Sequence, residues 1–221
     1  MKIPGNQQTQ YITQDSPLYP AGLSKCLQDA APKKLWLRGR REILEKPRVA
    51  LLISRRCTGR PIVAALDLAR ALRDAGVVVV GAFHSAVERD CFDFLIRGDQ
   101  GVIWCPARTI DPYRIPPERR EAVEDGRLLL LSPFDTTARR QTAGRAKKRN
   151  ELVAAMSDML IIPYADPGGN MEELARLALN WDKQVVTFDM EENKHLTEFG
   201  VKAMQVEAIV EEITEKENDI A

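Results

Sequence analysis

Val49-Ala50-Leu51-Leu52-Ile53-Ser54-Arg55-Arg56-Cys57-Thr58-Gly59-Arg60-Pro61 is the stretch on which the fold turns. A continuous apolar run passes through one polar loop to a proline, a residue suited to the first turn of a helix. From Pro61 the apolar positions Ile62, Ala65, Leu66, Ala69 and Leu72 keep helical spacing until Gly76, and Val77-Val78-Val79-Val80 then opens a second run. Short, unbroken apolar runs suit strands buried on both faces of a parallel sheet better than the alternation of a half-exposed sheet.

The same alternation continues along the chain. Apolar runs recur at Val102-Ile103-Trp104, Leu128–Leu131, Met159–Ile162 and Val185–Phe188, with helical spacing over 86–97, 117–124, 144–156 and 171–181. The economical solution is an α/β, Rossmann-like, doubly wound and mainly parallel sheet flanked by helices. Residues 1–17 show no periodicity and are expected to form a flexible arm. Residues 18–205 are expected to form one domain, with Tyr19, Leu23, Leu27, Leu35, Trp36 and Leu37 packing on the sheet. Residues 206–221 are expected to form an acidic helix or tail, with Ile209 and Ile213 as its apolar stripe. The proline-rich stretch from Asp111 to Pro117 reads as a loop.

Composition narrows the function. At 221 residues and 44% hydrophobic composition the chain can bury one substantial core. Cys26, Cys57, Cys91 and Cys105 form no C-x-x-C pair and there are 2 histidines, so no metal site, cofactor or disulfide framework is indicated. No run approaches the roughly 18 apolar residues of a membrane span, and a soluble, cytoplasmic protein is expected. The balance of 32 basic and 32 acidic residues excludes a uniformly basic nucleic-acid coat protein but leaves a local patch open. Such a patch exists: Arg139, Arg140, Arg145, Lys147, Lys148 and Arg149 follow one another with no acidic residue among them, and run into a helix that enters a strand. Concentrated charge on a rigid element suits a polyanion, although a solvated helix entrance has the same composition.

In an open parallel sheet, ligands sit beyond the carboxyl ends of the strands, so the residues after each strand have first claim on function. After the first strand, Ser54, Arg55, Arg56 and Thr58 stand before a helix N-terminus, where free N–H groups and guanidinium forks favour an anion; Ser54 or Thr58 equally suits a strand stop or helix cap. After the second, His84 suits either a phosphate contact or an inert loop position. Near the fifth, Gly168, Gly169 and Asn170 offer a close backbone approach, and Glu172 and Glu173 fit two readings. They are candidate catalytic carboxylates, or acidic residues placed in a first helical turn by the helix dipole. His195, in a polar stretch, is expected to be solvated, and the cysteines to be small core residues.

The order of these pieces resembles a known family. Tyr19-Pro20-x-x-Leu23, Leu35-Trp36-x-x-Gly39 and Leu44-x-x-Pro47-x-Val49 through Ser54-Arg55-Arg56-x-Thr58 resemble the opening of the Rossmann-like domain of the DNA processing protein A (DprA or Smf) family. Lys148-Arg149-Asn150 through Ser157-Asp158 is similar to that family's Arg-Asn-Arg-Ile-Ile-Ala-Gly-Leu-Ser-Asp segment. The resemblance implies single-stranded DNA binding, self-association and loading of a recombinase, by a mediator that is not an enzyme. It implies that Ser54, Arg55, Arg56 and Thr58 line a pocket, and that Lys148, Arg149 and Asn150 contact phosphates or order that pocket. The chain departs from the pattern at Ile53, where a glycine is usual, at His84–Glu88, which replaces a glycine-rich loop, and at Glu151, where an arginine is expected.

Pro167-Gly168-Gly169-x-x-Glu172-Glu173 resembles instead a motif of the lysine-decarboxylase-like (LOG) family, which includes nucleoside monophosphate phosphoribohydrolases. The expected function is therefore binding of single-stranded DNA or a nucleotide in a basic pocket formed by Ser54, Arg55, Arg56, Thr58, His84, Arg145, Lys147, Lys148, Arg149, Asn150, Gly168, Gly169 and Asn170. The alternatives are cleavage of a nucleotide's N-glycosidic bond by Glu172 or Glu173, and a nucleotide-sensing module. Expected partners are single-stranded DNA or a nucleotide, a recombinase, and further copies of the chain.

Overall fold

The computed structural model describes residues 8–112 and 114–220, and the side chains of all of these except 118 and 217–220. The strands are β1 (Gln10–Thr13), β2 (Lys34–Arg38), β3 (Arg48–Leu51), β4 (Val78–Gly81), β5 (Val102–Trp104), β6 (Leu128–Ser132), β7 (Met159–Ile161), β8 (Gln184–Phe188) and β9 (Lys202–Met204). The helices are α1 (Ala21–Leu27), α2 (Arg60–Asp74), α3 (Ala86–Leu95), α4 (Pro117–Glu124), α5 (Ala143–Met156), α6 (Asn170–Asn180), α7 (Lys194–Thr197) and α8 (Val206–Ile220).

The strands form one sheet in the order β1-β2-β6-β5-β4-β3-β7-β8-β9. β2 runs antiparallel to β1 and β6, and every other neighbouring pair is parallel. Successive residues of the central strands enter opposite cores: Ala50, Leu52, Val78 and Val80 join one hydrophobic cluster, and Val49, Leu51, Val77 and Val79 the other. This is why the runs read as continuously apolar. One cluster is closed by residues of α1, α5 and α6, the other by residues of α2, α3, α4 and α8. Gly39 follows β2 at φ 124, and a Cβ there would lie 2.3 Å from the Leu128 carbonyl oxygen, so backbone approach fixes that residue.

The arm expected over residues 1–17 is in part a strand. Gln10–Thr13 pairs with Leu37–Lys34, Ile12 is buried, and Lys34 lies over the exposed Tyr11 ring at 4.8 Å. Four residues with one buried side chain are too short to register as a period, and residues 1–7 of that arm lie outside the described residues. α8 buries Ile209 and Ile213 against the sheet. Among the described residues no helix is long and apolar enough to cross a membrane.

Topology places the site. The chain moves from β3 outward through β4, β5 and β6, then returns to β7 on the other flank of β3. The order reverses between β3 and β7, and crevices for ligands open at such switch points.

Candidate nucleic-acid interface

A cleft of about 440 Å³ opens at the switch point, beyond the ends of β3, β4 and β7. Its two flanks are tied across the reversal: the Ser54 N–H donates to the Tyr164 carbonyl at 3.1 Å, and the Asp166 N–H donates to Ser54 Oγ at 3.0 Å. Ser54 is buried by these bonds, which makes it a brace between the β3 and β7 loops. Arg55 and Arg56 follow it, exposed on the cleft wall, and neither forms an ion pair among the described residues.

The floor carries a carboxylate. Glu88 is buried, and accepts from the Ile53 N–H at 3.1 Å, the His84 N–H at 2.9 Å and the Ser85 N–H at 3.0 Å. Ser85 Oγ in turn accepts from the Glu88 N–H at 3.2 Å, completing a capping box at the start of α3. The backbone reaches this arrangement through Phe83, held at φ 47 while its ring packs on Phe92 with centroids 4.8 Å apart. N–H groups at a helix start that would suit a phosphate are thus occupied by the protein's own carboxylate. His84 projects outward; burial, and then the Arg149 guanidinium, push its imidazole below the ordinary value of 6.5, which favours the neutral ring at neutral pH.

Arg149 enters the cleft from α5 and is buried. Its Nη1 donates to the Cys105 carbonyl at 2.9 Å and its Nε to Asn150 Oδ1 at 2.7 Å, so it bridges α5 to the end of β5. Burial lowers its pKa, against the opposing field of Glu88. The rest of the basic run disperses, because residues on a helix share a face at three or four positions' separation and not in sequence. Arg145 and Lys148 line a neighbouring groove with Phe134, while Lys147 pairs with Glu173 at 2.9 Å.

Of the residues expected at the pocket, Ser54, Arg55, Arg56, His84, Arg149, Asn150 and Asn170 line the cleft. Thr58, Arg145, Lys147, Lys148, Gly168 and Gly169 lie outside that lining. The Gly168 N–H, in a turn at φ 67, donates at 2.8 Å to Glu172, whose other oxygen takes Arg176 at 2.9 Å. Neither Glu172 nor Glu173 lines the cleft: the first fastens the loop before α6, and the second holds Lys147. His195 departs from the solvated position expected of it, with Nε2 buried and 3.9 Å from Glu172. Burial, and then Asp166, raise the Cys57 thiol to about 11, and burial raises Cys105 to about 12, which leaves both protonated near neutral pH. Ser85, Glu88 and Asp166 are the polar cleft residues absent from the expected pocket; Ser85-x-x-Glu88 is the sequence signal for the first two.

The family model of DNA recombination-mediator protein A matches residues 10–220. The chain belongs to the recombination-mediator protein A family. Two DNA processing A proteins of known structure share the family fold with this chain. The Streptococcus pneumoniae protein superposes with a TM-score of 0.79 at 17% identity, over 93% of this chain and 75% of that one. The Helicobacter pylori protein, described for its single-stranded DNA binding mode, gives 0.78 at 23% identity, over 98% and 99%. The molybdenum cofactor carrier protein of Chlamydomonas reinhardtii is a more distant likeness, with a TM-score of 0.53 at 17% identity over 77% and 97%. No curated protein matches the sequence.

Proposed function

We propose that this recombination-mediator A protein binds single-stranded DNA across the switch-point cleft and acts in DNA recombination or uptake without bond chemistry of its own. The observation that carries the reading is the pair Arg55 and Arg56, exposed and without carboxylate partners among the described residues, on the wall of a cleft whose floor is braced by Arg149. Guanidinium groups in that position suit a phosphate backbone in bidentate geometry. The Helicobacter pylori relative, described as binding single-stranded DNA, supports the same reading. A recombinase and a second copy of this chain are the protein partners that membership of the family suggests.

The carboxylates near the cleft are not placed for acid–base work. Glu172 and Glu173 stand outside the cleft lining and are engaged elsewhere, Glu88 spends its oxygens on three backbone N–H groups, and Asp166, which lines the cleft, accepts from the Tyr164 hydroxyl at 3.3 Å. A general acid or base must reach the proton it moves. The test is a salt-dependent titration of the protein against single strands, duplex and nucleoside monophosphates. Single strands should bind most tightly, with log affinity falling linearly in log salt. Failure to bind single strands at low salt would refute the DNA reading. Saturable, salt-insensitive binding of a mononucleotide alone would favour nucleotide sensing, and sustained release of free base, lost in Glu172→Gln or Glu173→Gln, would make the protein a hydrolase.

A further inference from the structure

A second groove adjoins the cleft, between the loop that follows β6 and the first turns of α5. Pro133, Phe134, Asp135, Thr137, Arg145 and Lys148 are among its lining residues. Phe134 is half-buried in a surface loop and joins neither hydrophobic cluster nor any ring pair among the described residues. An aromatic ring without a core to fill sits here among cations. Arg145 is anchored through Nη1 to the Arg140 carbonyl at 2.7 Å, Lys148 is exposed, and Arg139 and Arg140 stand exposed in the same loop. The carboxylate in the lining, Asp135, is held by the Thr137 N–H at 2.9 Å and by the Thr137 hydroxyl at 2.5 Å. On α5, Ala146 and Arg149 line the cleft while Arg145 and Lys148 line the groove, so the two sites meet within about one helical turn, ~5.4 Å.

We propose that this groove is a second nucleotide subsite for the strand held in the cleft, with Phe134 stacking one base and Arg145 and Lys148 holding the flanking phosphates. The inference rests on the single-strand reading above. Aromatic faces interleaved with cations bind single strands with little regard to sequence, because every base has a π-face. A duplex keeps those faces stacked inside, so the groove would contribute to preference for single strands as well as to affinity.

The test uses the full chain, fluorescein-labelled trithymidylate and an oligothymidylate of about 20 nucleotides, a length chosen to exceed one binding site. Phe134→Ala should weaken the long oligonucleotide about tenfold while leaving the trinucleotide unchanged. Phe134→Trp should retain the affinity, and its added emission should be quenched as DNA is titrated in. Thermal melts of both variants check folding, and the tryptophan variant carries the test if the alanine variant unfolds. Unchanged affinity of Phe134→Ala for the long strand overturns the subsite, as does equal weakening for both lengths, which would make the loop a support of the cleft. So does loss of polyglutamate binding with DNA affinity retained, which would assign the groove to an acidic protein segment. A parent protein that binds neither oligonucleotide defeats the single-strand reading itself, whereas binding by the parent with no effect of either variant defeats only the subsite.

Discussion

Replacing Arg149 by alanine should destabilise the fold first and weaken DNA binding as a consequence. Arg149 is 4% exposed, and its guanidinium makes two bonds, at 2.9 Å to the Cys105 carbonyl and 2.7 Å to Asn150 Oδ1. A hydrogen bond from a charged donor contributes about 1.5–3 kcal/mol, and the buried Cys105 carbonyl would lose this donor. The bond to the adjacent Asn150 is local and contributes less, so the loss should be about 3 kcal/mol. For a chain of this size each kcal/mol moves Tm by about 2–4 °C, giving a fall near 10 °C. Arg149→Lys keeps the charge without the two-pronged geometry and should fall between parent and alanine variant. Thermal denaturation by circular dichroism measures this, and a salt titration against single-stranded DNA completes the assay. A buried strut neutralises no phosphate, so the salt slope of the alanine variant should change by much less than the ~0.7 expected for one lost phosphate contact. An unchanged Tm together with a slope reduced by about 0.7 would place Arg149 on the DNA and refute the strut.

Arg55→Ala combined with Arg56→Ala should show the opposite signature: the single-strand salt slope should fall by about 1.4 with Tm nearly unchanged, since both side chains are exposed and lack ion pairs among the described residues. An unaltered slope would exclude them as phosphate contacts. Glu212 provides a pH test of how α8 is fastened: bonds from Lys202 at 2.7 Å, Gln184 at 2.6 Å and Lys216 at 3.1 Å lower its carboxyl from 4.5 to about 2. A depressed folded-state pKa contributes stability that is present above pH 4.5 and lost as pH falls through about 2, so the Tm gap between parent and Glu212→Gln should close over that window. A gap independent of pH would remove the carboxylate as its source.

The centre of the fold was legible because a strand buried on both faces leaves an unbroken apolar run, and β3 to β8 each did so. The margins were not. β1 buries Ile12 alone, and β9 is the exposed to half-buried Lys202–Met204, so neither carries a run or a full period. β2 buries Leu35 and Leu37, which reads as packing, but its antiparallel direction is set by partners in β1 and β6 that lie elsewhere in the chain.

At the site, chemistry was legible where it follows directly from strand position and obscure where it depends on a distant partner. Ser54, Arg55 and Arg56 come straight after β3 and line the cleft. The basic run of α5 looks uniform in sequence, yet the helix turns Lys147 to Glu173, Arg145 and Lys148 to the groove, and Arg149 inward to an acceptor 44 positions away. Sequence gives no sign of that carbonyl, so a buried strut and a surface cation look alike. In sequence, His84–Glu88 reads as the loss of a glycine-rich loop; in the fold the Glu88 carboxylate fills the N–H cradle at the start of α3 that an anion would otherwise enter. Attraction for phosphate then falls to the exposed guanidinium groups on the wall. The affinity of this cleft should therefore be unusually dependent on Arg55 and Arg56.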